Sequence, residues 1–250
     1  MPFRRVRWTQ SLLASLHGSQ DDLTCSDCSA GGRARIARRS LRGGWLLNAS
    51  RSYGYSISRE DGWASRVTTE LTREALGADG DSDSAVADLR GYLPVWPRHG
   101  VVAARVAAAS SWGDRQTRRL FSASGNGPQA IGFDFGTNAI GLIRGVDESE
   151  LIGDRALVAN LDYRLPIVRI DRGLGTLPGF VRVIHAAAFV DAGNAWQGRF
   201  ESRDLVVSTG AELSLDAVVG YGLPLTFTGG AAWASQDHGW AIFGRIGRAF

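Results

Sequence analysis

The side chains that most often announce catalysis are present here but at spacings that organise none of the common reactions. His17, His99, His185 and His238 are scattered, and no His-x-x-x-His pair offers two metal ligands on one helix face. No Gly-x-Ser-x-Gly turn presents an activated serine. The glycine-rich stretch 173–179 lacks the dinucleotide fingerprint and leads into alternating residues instead of a helix, so it reads as a turn. Cys25 and Cys28 form Cys-Ser-Asp-Cys. A redox dithiol would need βαβ surroundings, and a zinc site would need a second ligand pair, neither of which the sequence provides. A small-loop disulfide or two inert thiols remain. No catalytic residue, metal or cofactor is expected, and the chain does not read as an enzyme.

Composition narrows the class. Only 44% of the 250 residues are hydrophobic, and the mean hydropathy of -0.09 is too low for a bundle of membrane helices. Apolar runs such as Ala186–Val190 fall far short of the roughly 20 residues a spanning helix needs. The net charge of +3 comes from both signs dispersed along the chain, without a basic stripe, so nucleic acid is not an expected partner. Met1–Arg7 is basic like the start of an export signal, but the apolar segment Leu12–Leu16 is too short to complete one. The expectation is that further sequence precedes Met1.

The informative pattern has period two. Trp45, Leu47, Ala49, Tyr53, Tyr55 and Ile57 alternate with Asn48, Ser50, Ser52 and Ser56. Trp63, Val67 and Leu71 alternate with Arg66, Thr68, Glu70 and Thr72. The same rhythm sets Leu157, Ala159, Leu161, Tyr163 and Leu165 against Asn160, Asp162 and Arg164. It also sets Leu205, Val207, Ala211, Leu213 and Leu215 against Ser208, Glu212, Ser214 and Asp216. Successive strand side chains point to opposite faces, so each segment carries one apolar and one polar surface.

Strands are predicted at 5–18, 41–58, 62–76, 84–96, 101–113, 155–167, 180–192, 204–216, 223–234 and 240–250. Most exceed the 9 to 11 residues, roughly, that cross a bilayer obliquely, and are about twice as long as strands of soluble domains. Short turns at 59–62 and 97–100 alternate with long polar loops at 19–40 and 114–154, as in outer-membrane barrels, although 168–179 is long for its side. Trp8, Trp45, Trp63, Trp96, Trp112, Trp233 and Trp240 fall near strand ends, with Trp196 just beyond one, where interfacial girdles lie. The fold class is therefore all-β: an antiparallel transmembrane β-barrel wall of about ten strands. A soluble β-sandwich is the alternative, but its tryptophans would favour mid-strand positions.

Four elements then resemble the BamA/TamA (bacterial surface antigen) superfamily of outer-membrane assembly and translocation barrels. Gly141-Leu-Ile-Arg144-Gly145-Val146 is similar to its (V/I)RG(F/Y) motif, with Val146 in place of the aromatic residue. Asn160-Leu-Asp162-Tyr-Arg-Leu-Pro166 is similar to its N-x-(D/E)-(Y/F)-R-x-P strand, and Phe189-Val-Asp191-Ala-Gly193-Asn-Ala-Trp196 to its F-x-D-x-G-x-x-W strand end. Phe250 resembles its terminal aromatic, although Arg248 departs from the usual apolar residue.

The resemblance implies that residues 1–250 form part of a sixteen-stranded barrel, with the first strands and periplasmic domains absent. It implies that the loop 114–154 folds into the lumen and that Arg144, beside Gly145, meets wall carboxylates. Asp162 and Asp191 both lie on the polar rows of their strands and should face it. Phe250, with Ile246 and Ile242 on the same row, would be the C-terminal insertion signal. The implied role is outer-membrane protein assembly and insertion, or polypeptide translocation, in the bacterial outer membrane. The implied partners are the lipid bilayer, the assembly machinery and client polypeptides. A passive porin-like channel is the alternative.

In the oxidising space outside the cytoplasm, Cys25 and Cys28 should be joined as a disulfide. A thiol-reactive dye added to unreduced, unfolded protein should then give no signal. Labelling at both positions would leave them as inert thiols.

Overall fold

The computed structural model describes residues 2–5, 8–24, 33–125, 140–147, 150–173, 175–220, 222–236 and 238–247, with side chains except at 2–5, 21–24 and 33–35. In chain order the strands are β1 (Pro2–Arg5), β2 (Trp8–Thr24), β3 (Arg33–Asn48), β4 (Gly62–Thr72), β5 (Ser82–Val95), β6 (Gly100–Gly113) and β7 (Phe121–Ser122). There follow β8 (Ile152–Gly153), β9 (Arg155–Gly173), β10 (Gly179–Trp196), β11 (Val206–Val219), β12 (Leu223–Ala234) and β13 (Gly239–Gly247). Eleven of these form one sheet in the order β1-β2-β3-β4-β5-β6-β9-β10-β11-β12-β13. Every described pairing is antiparallel. The chain therefore meanders strand by strand, and β6 reaches β9 across the long loop that carries the small β7–β8 ribbon. Among the described residues β1 and β13 are the two edges.

Alternation in the sequence becomes two physically different faces. On β4, Ala64, Arg66, Thr68, Glu70 and Thr72 are buried, while Trp63, Val67 and Leu71 are exposed. On β9 the buried row is Ala156, Val158, Asn160 and Asp162, and its apolar neighbours Leu157, Leu161 and Tyr163 point the other way. The buried rows share the face on which the described segments 114–125 and 140–147 lie, here called the inner face. Outward, Leu161 is 50% exposed, Leu213 55% and Ile242 92%. Among the described residues no helix and no second sheet covers this apolar face. Apolar side chains left uncovered in so broad a band mark a surface that meets something other than water.

Tryptophans sit where that band ends. Trp112, Trp233 and Trp240 lie at the end of the sheet from which the long loop departs, and Trp63 and Trp96 at the opposite end; all five are exposed. Trp233 and Trp240 are directly opposite one another on β12 and β13. An indole at a water–hydrocarbon boundary buries its ring while its N–H stays wet.

Several sequence expectations are corrected. The main sheet has eleven strands where about ten are expected, and Pro2–Arg5 is a separate strand folded back on Trp8–Ser11. The expected strand 41–58 is displaced: β3 starts at Arg33, and its partner β2 continues to Thr24, so most of the supposed outer loop 19–40 is strand. Residues beyond Asn48 leave the sheet. The Ser56 N–H donates to the Tyr53 carbonyl at 3.0 Å, turning the chain at Gly54, and Arg51 bridges to Asp61. Tyr53 and Tyr55 are exposed while Ile57 is buried, so their alternation was a coincidence of loop residues. The connection 168–179 shrinks to residues 174–178, because β9 runs to Gly173 and β10 begins at Gly179. That connection is thus shorter than the 49–61 segment that joins β3 to β4 on the same side.

Candidate functional site

On the inner face, β9 contributes Asn160 and Asp162, β10 contributes Phe189 and Asp191, and β11 contributes Ser208 and Glu212. The loop segment Ile140–Val146 lies across them. Arg144 is 1% exposed and is the largest fully buried side chain among the described residues. Its guanidinium makes a two-pronged contact with Asp191: Nε–H donates to Oδ2 at 2.8 Å and Nη2–H to Oδ1 at 2.7 Å. The same Nη2 donates to Asp162 Oδ1 at 2.6 Å, and Nη1 lies 3.6 Å from Glu212 Oε2. The backbone N–H of Arg144 also donates to Asp191 Oδ2, at 3.1 Å. The plane of the guanidinium lies over the Phe189 ring, with Cζ 3.5 Å from the centroid.

The neighbours complete the satisfaction of these groups. Asn160 Nδ2–H donates to the Leu142 carbonyl at 2.5 Å and to Asp191 Oδ1 at 2.8 Å. Ser208 Oγ–H donates to the Arg144 carbonyl at 2.5 Å. Arg164 takes the second oxygen of Asp162 at 2.6 Å, and Arg245 pairs with Glu212 at 2.9 Å. The cluster is thus neutral overall, with Arg144, Arg164 and Arg245 facing Asp162, Asp191 and Glu212. Burial opposes the charge on Arg144. The Asp191 hydrogen bond and the charges of Asp162, Asp191 and Glu212 outweigh that and raise its pKa above the ordinary arginine value.

Gly145 follows with φ +85°, and a Cβ there would come within 2.7 Å of the Ala232 Cβ. Both the left-handed backbone and the close approach to β12 therefore require glycine. Apolar packing holds the rest of the segment. Ile140, Ile143 and Val146 join Phe121 and Ala123 of the loop and Val158 and Val206 of the wall in one buried cluster. Val146 is 2% exposed in this cluster.

Arg144, Gly145, Asp162 and Asp191, expected together from the sequence, are together. Ile242 and Ile246 lie elsewhere, on the outward row of β13 and 92% and 70% exposed. Phe250, Cys25 and Cys28 fall outside the described residues. The sequence reading missed the parts played by Glu212, Ser208 and Phe189, although the polar-row position of the first two was a usable signal. It also missed two further inner-face clusters. Asp88 on β5 is met by Arg66, Arg90 and Arg105 at 3.5, 2.8 and 2.9 Å. Glu70 on β4 is met by Arg42 and Arg119 at 3.3 and 2.8 Å. Arg105 also donates to the Ile140 carbonyl at 2.8 Å, a second tie on the loop. Among the described residues no group of three or more His, Cys, Asp or Glu is placed to hold a metal ion.

An apolar-outward antiparallel wall whose charged inner face holds an arginine-bearing loop segment defines a class of membrane β-sheet protein. The Omp85 superfamily domain matches residues 8–243, and the chain belongs to the Omp85 superfamily. Membership places it in the outer membrane. No curated protein sequence matches it. Among solved structures, BamA from Haemophilus ducreyi lacking POTRA domains 1–3 is similar, with a TM-score of 0.59 at 16% sequence identity. The match covers 96% of this chain and 52% of that one, so this chain spans about half the length of its structural relative.

Replacing Arg144 with Ala leaves Asp191 buried without its counter-charge and Asp162 with Arg164 alone, at an expected cost of about 3–5 kcal/mol. Arg144→Lys keeps the charge but loses the fork and should fall between. Urea unfolding of the vesicle-embedded protein reads both. Unchanged midpoints would remove the cluster from any structural role.

Proposed function

We propose that this protein acts in the assembly of outer-membrane proteins or in the passage of polypeptides through the outer membrane, as a β-barrel that performs no covalent chemistry. In this reading residues 1–250 are a single barrel-wall domain. Residues 114–154 are its lumen-folded loop, and β13 is the strand that clients meet. The proposed partners are the lipid bilayer, the outer-membrane assembly machinery and client polypeptides. The machinery would read Ile242, Ile246 and Phe250 as the C-terminal insertion signal.

The observation that carries the proposal is the buried fastening of Arg144 to Asp162 and Asp191. A loop held across the inner face by its own ion pairs suits a barrel whose interior is controlled instead of permanently open. Ile140–Val146 lie on the inner face over β9 to β12, which narrows whatever space that part of the wall encloses. Gly229 and Gly244 are direct partners on β12 and β13 and contribute no side-chain contact to that pairing. This favours a last strand that separates readily from its neighbour.

Reconstitution into liposomes tests the assembly role. An unfolded outer-membrane barrel added to such liposomes should fold several-fold faster than in protein-free liposomes. Equal rates would eliminate assembly, and a large, steady conductance in planar bilayers with the loop intact would support the passive channel instead.

A further inference from the structure

The edge strand β13 is paired on one side only among the described residues, through Thr226–Ala234 of β12. Other fastenings must come from its inward side chains, and those described are Ala241, Phe243 and Arg245. Each reaches the group of residues gathered around the loop tip. Arg245 Nη2 pairs with Glu212 Oε1 at 2.9 Å. The other oxygen of that carboxylate, Oε2, has no hydrogen bond and faces Arg144 Nη1 at 3.6 Å. Phe243 is 8% exposed and meets Phe189 with ring centroids 6.2 Å apart, and Phe189 is the ring beneath the Arg144 guanidinium. Ala241 Cβ lies 3.7 Å from where a Gly145 Cβ would stand. On β12, a side chain at Gly230 would overlap Phe243 Cζ at 2.6 Å, so the wall leaves space for this ring stack.

We infer that Glu212 is a positioning residue shared between the loop and the edge strand, and that with the Phe189–Phe243 contact it ties the placement of β13 to the seating of Arg144. One carboxylate serves two arginines, one on the loop tip and one on β13. If Arg144 withdraws, Glu212 and Phe189 lose the partner that fixes their rotamers, and Arg245 and Phe243 lose fixed partners in turn. Withdrawal of the loop therefore loosens β13 without touching its backbone ladder. The reverse also holds: displacement of β13 weakens the seat of Arg144, because coupling between two sites is reciprocal. The inference rests on this geometry and does not require that clients use β13.

Amide hydrogen exchange of the protein in lipid vesicles tests it. Arg245→Gln cuts the tie at the β13 end alone and should speed exchange of the Trp240–Ile246 amides about 5-fold or more, leaving β9 unchanged. Arg144→Lys should speed the same β13 amides. In a Phe243→Ala/Arg245→Gln background, where both ties are already cut, Arg144→Lys should add nothing on β13. Should Arg144→Lys fail to fold, Glu212→Gln replaces it and should quicken both β13 and residues 140–147. The inference is overturned if Arg144→Lys or Glu212→Gln leaves β13 at its original rate. It is overturned equally if the Arg144→Lys effect persists undiminished in the severed background.

Discussion

Hydrocarbon on one face of a sheet leaves that face no means of holding a charge, and the remaining features of this protein follow from that exclusion. A strand in a bilayer must pair its backbone groups with neighbouring strands and turn apolar side chains outward. Because the side-chain period is two, the charged residues that stand amid the apolar band are then forced to the same inner face. Glu70, Asp88, Asp162, Asp191 and Glu212 gather there with Arg42, Arg66, Arg90, Arg105, Arg164 and Arg245. Such a face is stable only if its charges are matched, since a buried charge without a partner costs far more than a good pair returns.

The loop completes this balance. Asp162 and Asp191 point inward because of where they stand on β9 and β10, whatever the loop does. Arg164 satisfies one oxygen of Asp162, but Asp191 is 0% exposed and takes its cation from Arg144. Lysine could supply the charge but not the planar fork that meets Asp191 twice while reaching Asp162. Gly145 then lets the chain turn against Ala232, and Ile143 and Val146 pack into the wall. Specific hydrogen bonds set the loop's position, and apolar burial supplies much of its adhesion.

The sequence made the wall legible and the loops less so. Rows such as Leu157–Leu165 and Val207–Leu215 alternate cleanly because lipid on one side and charge on the other leave no freedom at either set of positions. Period two failed where nothing enforced it. Tyr53, Tyr55 and Ile57 mimic a strand, yet the chain turns at Gly54 through a local hydrogen bond that composition does not reveal. The reverse error arose at Arg33–Ser40, whose charges resemble a loop but pair along β2 up to Thr24. Motif spacing located Arg144, Asp162 and Asp191, because short segments on adjacent strands fix them. Glu212 and Phe189 escaped because their roles depend on register between β10, β11 and the loop, which a linear reading does not supply.

Contact between the outward rows and acyl chains is the premise on which the charge balance rests. The most direct measurement attaches a fluorophore to one residue at a time from Ala211 to Asp216, with Cys25 and Cys28 replaced by serine. The protein is reconstituted in vesicles whose acyl chains carry bromine. Quenching is expected at Ala211, Leu213 and Leu215 and not at Glu212, Ser214 and Asp216. A profile without period two, or quenching of Leu213 by a water-soluble agent instead of by the lipid, would contradict it.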